Sequence, residues 1–300
     1  MDWGEWAERL FRHEQWNIGV VEAPISSFLD PQFCPEVRWM PDPGRNEFRA
    51  DAFACGDEII YEHFEAWSER GFIAVTGAFN KSDAATRRVF GLPSDKHVSF
   101  PFVIEDKGEH FMVPETFQLG EVRLYRATEF PQRWQREATL LAGVAGVDMT
   151  VFEFGGEWWL AGVVHNWREN PESDLYLWHA PALRGPWQAH AGNPVKSDIS
   201  SARPGGTPFW HEGALYRPAQ DCRRCYGGAI AINRITRLTH DEFSEEVVAR
   251  WEPRPEWRWN AGWHTLSAAG ERTLIDGKRI TFMPAQFLAA LKQMVRSAST

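Results

Sequence analysis

The sequence predicts an all-β chain, a five-bladed β-propeller with short N- and C-terminal helices, and three observations lead there. The first is a hairpin that returns. Arg49-Ala50-Asp51-Ala52-Phe53 enters a Gly56-Asp57 turn and leaves through the apolar run Glu58-Ile59-Ile60-Tyr61-Glu62. The same plan recurs around Asp106-Lys107-Gly108, Gly155-Gly156, Glu212-Gly213 and Ala269-Gly270. The second observation is the period. Phased on Phe53, Phe102, Phe152, Phe209 and Leu266, the spacings are 49, 50, 57 and 57 residues, the range of propeller blades. The third is that further strand-like runs follow the hairpins, enough for four strands per unit.

In chain order, residues 2–14 place Trp3, Trp6, Leu10 and Phe11 at helical spacing and predict a short amphipathic helix packed on the body. Trp16 to Pro24 is strand-like, and the Pro-, Asp- and Gly-rich residues 29–47 predict a long surface loop. Third strands are expected at Phe72-Ile73-Ala74-Val75, Val122 to Arg126, Leu175 to Trp178 and Ala229 to Ile232. Fourth strands are expected at Trp134 to Ala138, Trp187 to His190 and Glu246 to Ala249. The blades divide approximately as 48–94, 95–143, 144–199, 200–253 and 254–282. The last is short, and residues 16–24 are expected to complete it, which would remove an exposed edge. Pro284 opens a terminal helix.

The 300 residues include 16 Trp and carry a formal charge of −9, which counts against nucleic acid or an anionic membrane surface as partner. The N-terminus lacks the apolar core of a signal peptide, and no run approaches the ~18 apolar residues of a membrane span. The expectation is a soluble cytoplasmic protein. Cys222-Arg223-Arg224-Cys225 has metal or redox spacing, but no second pair exists to complete a structural zinc site. Reduced thiols are expected, no oxygen-ligand calcium loop of recognisable spacing is found, and no cofactor is predicted.

The first strand of each blade lines a propeller's channel, and alternation puts Arg49, Asp51, Asp148, Thr150, Gly205, Thr207 and His264 on that face. Phe100 interrupts the pattern in blade two. A second set ends the second strands: Glu62, Glu115, and Gln220 beside Asp221. Acids converging on an aromatic-rich channel suit glycosidic cleavage, where one carboxyl protonates the leaving oxygen and another activates water or attacks carbon. Each has a plainer reading as a turn cap, a loop end or a satisfied core group. Arg203 and Arg217, each before a proline, either pair with these acids or hold an anionic substrate group bidentately. Trp134 and Trp187 recur at equivalent places and read as packing. Trp16, Trp167, Trp210 and Trp263 flank the site motifs and are the aromatic candidates for sugar contact.

Seven segments together carry a family resemblance: Phe48-Arg49-Ala50-Asp51, Ser99-Phe100-Pro101-Phe102, Val113-Pro114-Glu115, Val147 to Phe152, Ala202-Arg203-Pro204-Gly205-Gly206, Arg217-Pro218-Ala219-Gln220-Asp221 and Trp263-His264-Thr265-Leu266. With them the chain resembles the N-terminal domain of plant glucosamine inositolphosphorylceramide transferases and its bacterial relatives, which stand alone or are fused to sugar formyltransferase-like domains. The resemblance runs from Trp16 to about Arg279. It implies a fold similar to the arabinanase and β-xylosidase glycoside hydrolases, with an Asp base on blade one, a positioning Asp on blade three and a Glu acid opening blade four. Asp51 and Asp148 fall at the first two places. Blade four opens on Ala202-Arg203-Pro204-Gly205, with no Glu, so Glu115 or Asp221 would have to serve as acid. The plant proteins' transferase activity belongs to a separate domain and is not carried over.

The leading expectation is a glycoside hydrolase-like enzyme acting on a glycan or glycoconjugate. Its catalytic residues would be Asp51 as base, Asp148 as its positioning partner and Glu115 as proton donor. Arg203, Arg217, Gln220, Asp221, His264, Glu62 and Trp16 would bind substrate. The alternative is a non-catalytic glycan-recognition module beside a glycosyltransferase or sugar formyltransferase partner. A third reading is a protein-binding propeller whose channel residues are purely structural.

Overall fold

The computed structural model describes residues 6–7, 10–77, 86–165 and 173–297. The hairpins close where glycines adopt a left-handed turn. They build five antiparallel sheets arranged as blades of a ring, with a C-terminal helix, Pro284–Ser297. Blade one is β3 (Glu47–Cys55), β4 (Glu58–Glu65), β5 (Arg70–Gly77) and β6 (Arg87–Arg88). Blade two is β7 (Ser99–Asp106), β8 (Glu109–Glu115), β9 (Glu121–Glu129) and β10 (Arg133–Ala142). Blade three runs β11 (Gly146–Phe154), β12 (Glu157–Val164), β13 (Asp174–Ala180) and β14 (Gln188–Ala189), with β15 (Lys196–Ser197) also on β13. Blade four is β16 (Phe209–His211), β17 (Ala214–Asp221), β18 (Ala229–Leu238) and β19 (Phe243–Trp251).

Blade five joins the two ends of the chain. β1 (His13–Val21) pairs along its whole length with β21 (Arg272–Thr281), which pairs inward with β20 (Leu266–Ala269). The outermost strand is β2 (Val37–Trp39), inside the segment expected to be loop. Its three residues lie between prolines, and its pairing with Gly19 to Val21 is a non-local bond that local composition does not report. The same pairing corrects the N-terminal helix. His13 and Glu14, expected in it, are strand opposite Thr281 and Ile280. Leu10 and Phe11 are helical, while Trp3 lies outside the described residues.

Side chains between neighbouring blades form the core. Phe53, Phe100, Phe102, Val113, Val151 and Leu160 lie in one cluster across blades one to three, and Ile18, Val20, Ala52, Ile59 and Leu274 join blade five to blade one. Trp134 is buried in this packing and Trp187 lies against it. Trp263 is fully buried beside Phe28 and Trp257, not facing the channel, because its indole N–H is turned back to the Thr265 carbonyl at 2.8 Å. Trp210 is exposed at a hairpin tip, stacked on Phe154. Trp167 lies outside the described residues.

The inner strands β3, β7 and β11 each carry a β-bulge, between Ala50 and Phe53, Ser99 and Phe102, and Val147 and Thr150. Asp51, Phe100 and Asp148 occupy these bulges with φ of 52°, 41° and 49°. Aligned on the bulges, Thr150 rather than Phe152 is the counterpart of Phe53, because blade one has two fewer residues between bulge and turn. In blade four the stretch before β16 makes only single bridges, Pro204 to Ala219 and Gly206 to Leu266. Pro204 and Pro208 withhold the N–H groups that a ladder needs there.

Closure through β1 makes Ile18 a test of the fold. Ile18→Ala should lower unfolding free energy by about 2–5 kcal/mol, whereas Val247→Ala, on the exposed outer strand β19, should change it by less than about 0.5 kcal/mol. Urea titration followed by circular dichroism measures both. Equal, small effects would contradict a ring held shut by β1.

Candidate active site on the propeller axis

The three bulge residues turn their peptide N–H groups toward acids of the preceding blade. Asp51 N donates to Asp276 Oδ2 of blade five at 3.3 Å, and Phe100 N donates to Asp51 Oδ2 at 3.3 Å. Asp148 N donates to Glu115 Oε2 of blade two at 3.0 Å. Asp148 Oδ2 in turn accepts from Arg203 Nε at 2.6 Å and Gln220 Nε2 at 2.8 Å, both from blade four. Asp51, Glu62, Glu115, Asp148, Arg203, Gln220 and His264 are thus gathered from all five blades at the axis.

On the blade-five side, Asp276 holds His264. Its Oδ1 accepts from the backbone N–H groups of His264 and Thr265, and its Oδ2 lies 2.6 Å from His264 Nδ1. That leaves His264 Nε2 directed to Asp51 Oδ1 at 3.6 Å, while Thr265 Oγ1 donates to the same oxygen at 3.1 Å. Trp16 stacks on the imidazole, centroids 3.9 Å apart, and Tyr226 meets it edge-on at 5.4 Å. Gly227, at φ 56°, makes room for this stack. A Cβ there would lie 2.7 Å from Trp16 Cη2. Tyr226 also carries the Arg203 guanidinium over its ring at 4.9 Å.

Glu62 faces Asp51, and Glu115 faces Asp148. Burial, then the charge of Asp51, pushes the Glu62 carboxyl well above the usual range. Burial, then Asp148, does the same to Glu115 against the opposing pull of Arg203. Asp51 rises to about 6, chiefly through burial, with His264 opposing and Asp148 adding to it. His264 is raised because Asp276 and Asp51 outweigh its burial, and Asp276 is lowered because His264 and the donated N–H groups outweigh its own. On the far side of Glu62, His97 Nδ1 accepts from Gly71 N, so Nε2 bears the ring proton and lies 3.5 Å from Glu62 Oε1. That is too long for a firm hydrogen bond, and Glu62 Oε1 otherwise has none.

Two of the expected binding residues do not join this group. Arg217 forms a bidentate pair with Glu245, at 3.0 and 2.6 Å, and donates to the Ser201 and Ala202 carbonyls. Asp221 is held by Arg223 at 2.6 Å and Arg250 at 2.7 Å. The reason is strand parity. Gln220 points to the axis, so Arg217 and Asp221 on the same strand point to the opposite face.

Residues 42–273 match the model of the family described as glucosamine inositolphosphorylceramide transferase 1, N-terminal. The chain belongs to this family. It is 32% identical over 252 residues to glucosamine inositolphosphorylceramide transferase 1 of Arabidopsis thaliana, covering 79% of this chain and 33% of that protein. It is 36% identical over 214 residues to the Oryza sativa subsp. japonica protein of the same name, covering 68% of this chain and 28% of that one. The chain therefore spans about a third of the length of the curated relatives it matches. Among solved structures, a family 117 glycoside hydrolase from Zobellia galactanivorans shares the fold. Its TM-score is 0.54 at 11% identity, over 90% of this chain and 91% of that one. An exo-β-1,3-galactanase from Clostridium thermocellum gives 0.50 at 13% identity, over 74% and 57%.

Asp276, Thr265 and Tyr226 join the axial group in contact with His264 or Asp51, and no sequence motif singles them out. A signal for Asp276 exists: it follows the turn glycine Gly270 at the distance that separates Glu62 from Gly56. As possible ligands, Asp51, His264 and Asp276 bring donor atoms within 4.8 Å of one another. The four cysteines are free thiols. No helix among the described residues is long and apolar enough to cross a membrane.

The raised groups fix the sign of the axial site's own pH dependence. Asp51, Glu62, Glu115 and His264 each bind a proton more readily in the folded state. Their contribution is full below their ordinary values and is lost as pH rises through the folded ones, around 6 for Asp51. Each excess proton is worth about 1.4 kcal/mol per pH unit. Asp276 has the opposite sign and acts only at low pH. His63, His97 and His179 are lowered by burial and carry the opposite sign over the same range, so the site is read by difference. The Tm of wild type relative to Glu62→Gln should fall as pH rises from 5 to 8, and a difference that rises over this interval would contradict the assignment.

Proposed function

We propose that this propeller binds a glycan or glycoconjugate at its axis and cleaves it by acid–base chemistry of the glycoside hydrolase type. The observation that carries the reading is the split among the axial carboxyls. Glu115 is pushed well above the usual carboxyl range by burial and the charge of Asp148, while Asp51 rises to about 6. Carboxyls driven apart in this way supply the acid and the base of one reaction. Glu115 gives its proton to the leaving oxygen. Asp51 takes a proton from the attacking water, aimed by Thr265 Oγ1 and the Phe100 N–H. Asp148, clamped by Arg203 and Gln220, orients Glu115 through its own N–H. Trp16, expected as a sugar contact, is buried between His264 and the Lys278 ammonium and packs the imidazole instead. The half-buried ring of Tyr226 is the aromatic face at the edge of the group that suits a sugar's C–H face.

A second reading keeps binding without turnover, as a glycan-recognition module working with a glycosyltransferase or formyltransferase. Arg203 favours it, since it opens blade four where the resembled hydrolases carry their acid and spends its guanidinium on Asp148. The shared family with proteins named as transferases is consistent with it.

Screening aryl glycosides and glycans separates the two. The enzyme reading expects kcat/KM to fall about 10²–10⁴-fold in both Asp51→Asn and Glu115→Gln, with wild-type activity rising as pH passes about 6, where Asp51 ionises. Saturable glycan binding with no turnover, and with affinity kept in Glu115→Gln, would establish the second reading and remove the first.

A further inference from the structure

Away from the axis, at the seam between blades three and four, Glu157, His179 and His240 converge. Glu157 opens β12, two residues before Trp159, and Trp159 lies opposite His179 of β13 in the ladder, so all three share one face of blade three. His240 comes from the turn between β18 and β19 of blade four. Its carbonyl accepts from Ala191 N at 3.1 Å, which fixes that turn to blade three. His240 Nε2 lies 2.6 Å from Glu157 Oε2, and its ring stacks on His179 at 3.7 Å and 9°. Trp159 lies beside the group, 5.4 Å from His179 and 6.0 Å from His240, pinned by an indole N–H donated to the Phe154 carbonyl at 3.2 Å. A further imidazole adjoins it. His190 is 6.5 Å from Trp159 and accepts from Gly192 N at Nδ1, which leaves Nε2 buried with no hydrogen-bond partner.

We infer that Glu157, His179 and His240 form a binding site for a zinc-class divalent transition ion that ties blade three to blade four. Two imidazoles and one carboxylate are a ligand set that zinc, copper or nickel accepts and that calcium and magnesium, which prefer all-oxygen shells, do not. The three donor atoms already lie within 4.8 Å of one another. A tetrahedral ion with bonds of about 2.0–2.2 Å separates its ligands by roughly 3.4 Å. An imidazole binds a metal in its own ring plane, so the exposed His240 must swing off its stack on the buried His179, with half-buried Glu157 following, to bring the donors to that separation. The ion would replace the His240–Glu157 hydrogen bond with two metal bonds, and water would complete the shell. His190, the buried neighbour with an unused nitrogen, is the nearest source of a further ligand or a bond to that water.

Equilibrium dialysis of the chain against ZnCl2 in excess MgCl2 and CaCl2, with bound metal counted by mass spectrometry, tests the inference. His240→Ala and Glu157→Gln change accessible side chains and should leave the metal-free Tm close to wild type. Wild type should retain one zinc equivalent more than either variant, and zinc should raise its Tm by a few degrees while the variants do not respond. The comparison between wild type and variant isolates this site from the cysteines and from the axial acids. Equal zinc content and equal Tm response in wild type and both variants would overturn the inference.

Discussion

A peptide N–H at a left-handed bulge, donated to the carboxylate of the preceding blade, is the contact on which the centre of this molecule depends. It occurs from Asp51 to Asp276, from Phe100 to Asp51 and from Asp148 to Glu115. A buried carboxylate is costly unless hydrogen-bonded. A non-glycine residue at positive φ costs about 1–3 kcal/mol. Each cost is offset by the other, because the unusual backbone presents the donor that the acid requires. Asp148 extends the series to Arg203 and Gln220 of blade four, and the Gly205–Leu266 backbone bond joins blade four to blade five. The same contacts that close the ring therefore assemble its chemistry.

This arrangement crowds five carboxyl groups, Asp51, Glu62, Glu115, Asp148 and Asp276, around two cationic partners, Arg203 and His264. They cannot all be ionised. Glu62 and Glu115, which lack a direct cationic partner, are pushed well above the usual carboxyl range, while Asp276 and Asp148 pair with His264 and Arg203. The site is accordingly divided. One half, Asp276–His264–Asp51 under Trp16, is ordered around an imidazole; the other, Glu115–Asp148–Arg203–Gln220, around a guanidinium. Phe100 stands between them where a third bulge acid would otherwise be, packed edge-on against Phe53 at 5.0 Å. A propeller with an Asp at every bulge would have still less means of neutralising its centre.

The hairpin repeat was legible because turn glycines and alternating apolar residues act locally, and they gave the blade count and the closing strand. Asp51 and Asp148 were legible for the same reason. Asp276 was not, since Asp276-Gly277 has the composition of a hairpin turn although it lies in the middle of β21. Arg217 and Asp221 were misread because sequence proximity to Gln220 says nothing of which way each side chain faces. Their true partners, Glu245 and Arg250, are on β19, reached only through strand pairing. β2 was hidden for a similar reason, its three residues becoming a strand only against β1.

The central claim is that acids from separate blades share one buried site and hold their protons to higher pH there than carboxyls do in water. Infrared spectroscopy in D2O at pH 7 observes it directly, through the C=O stretch of protonated carboxyl groups. The account predicts a protonated-carboxyl band at pH 7 that weakens in Glu62→Gln and again in the double variant with Glu115→Gln. A wild-type spectrum with only ionised carboxylate bands at that pH would contradict it.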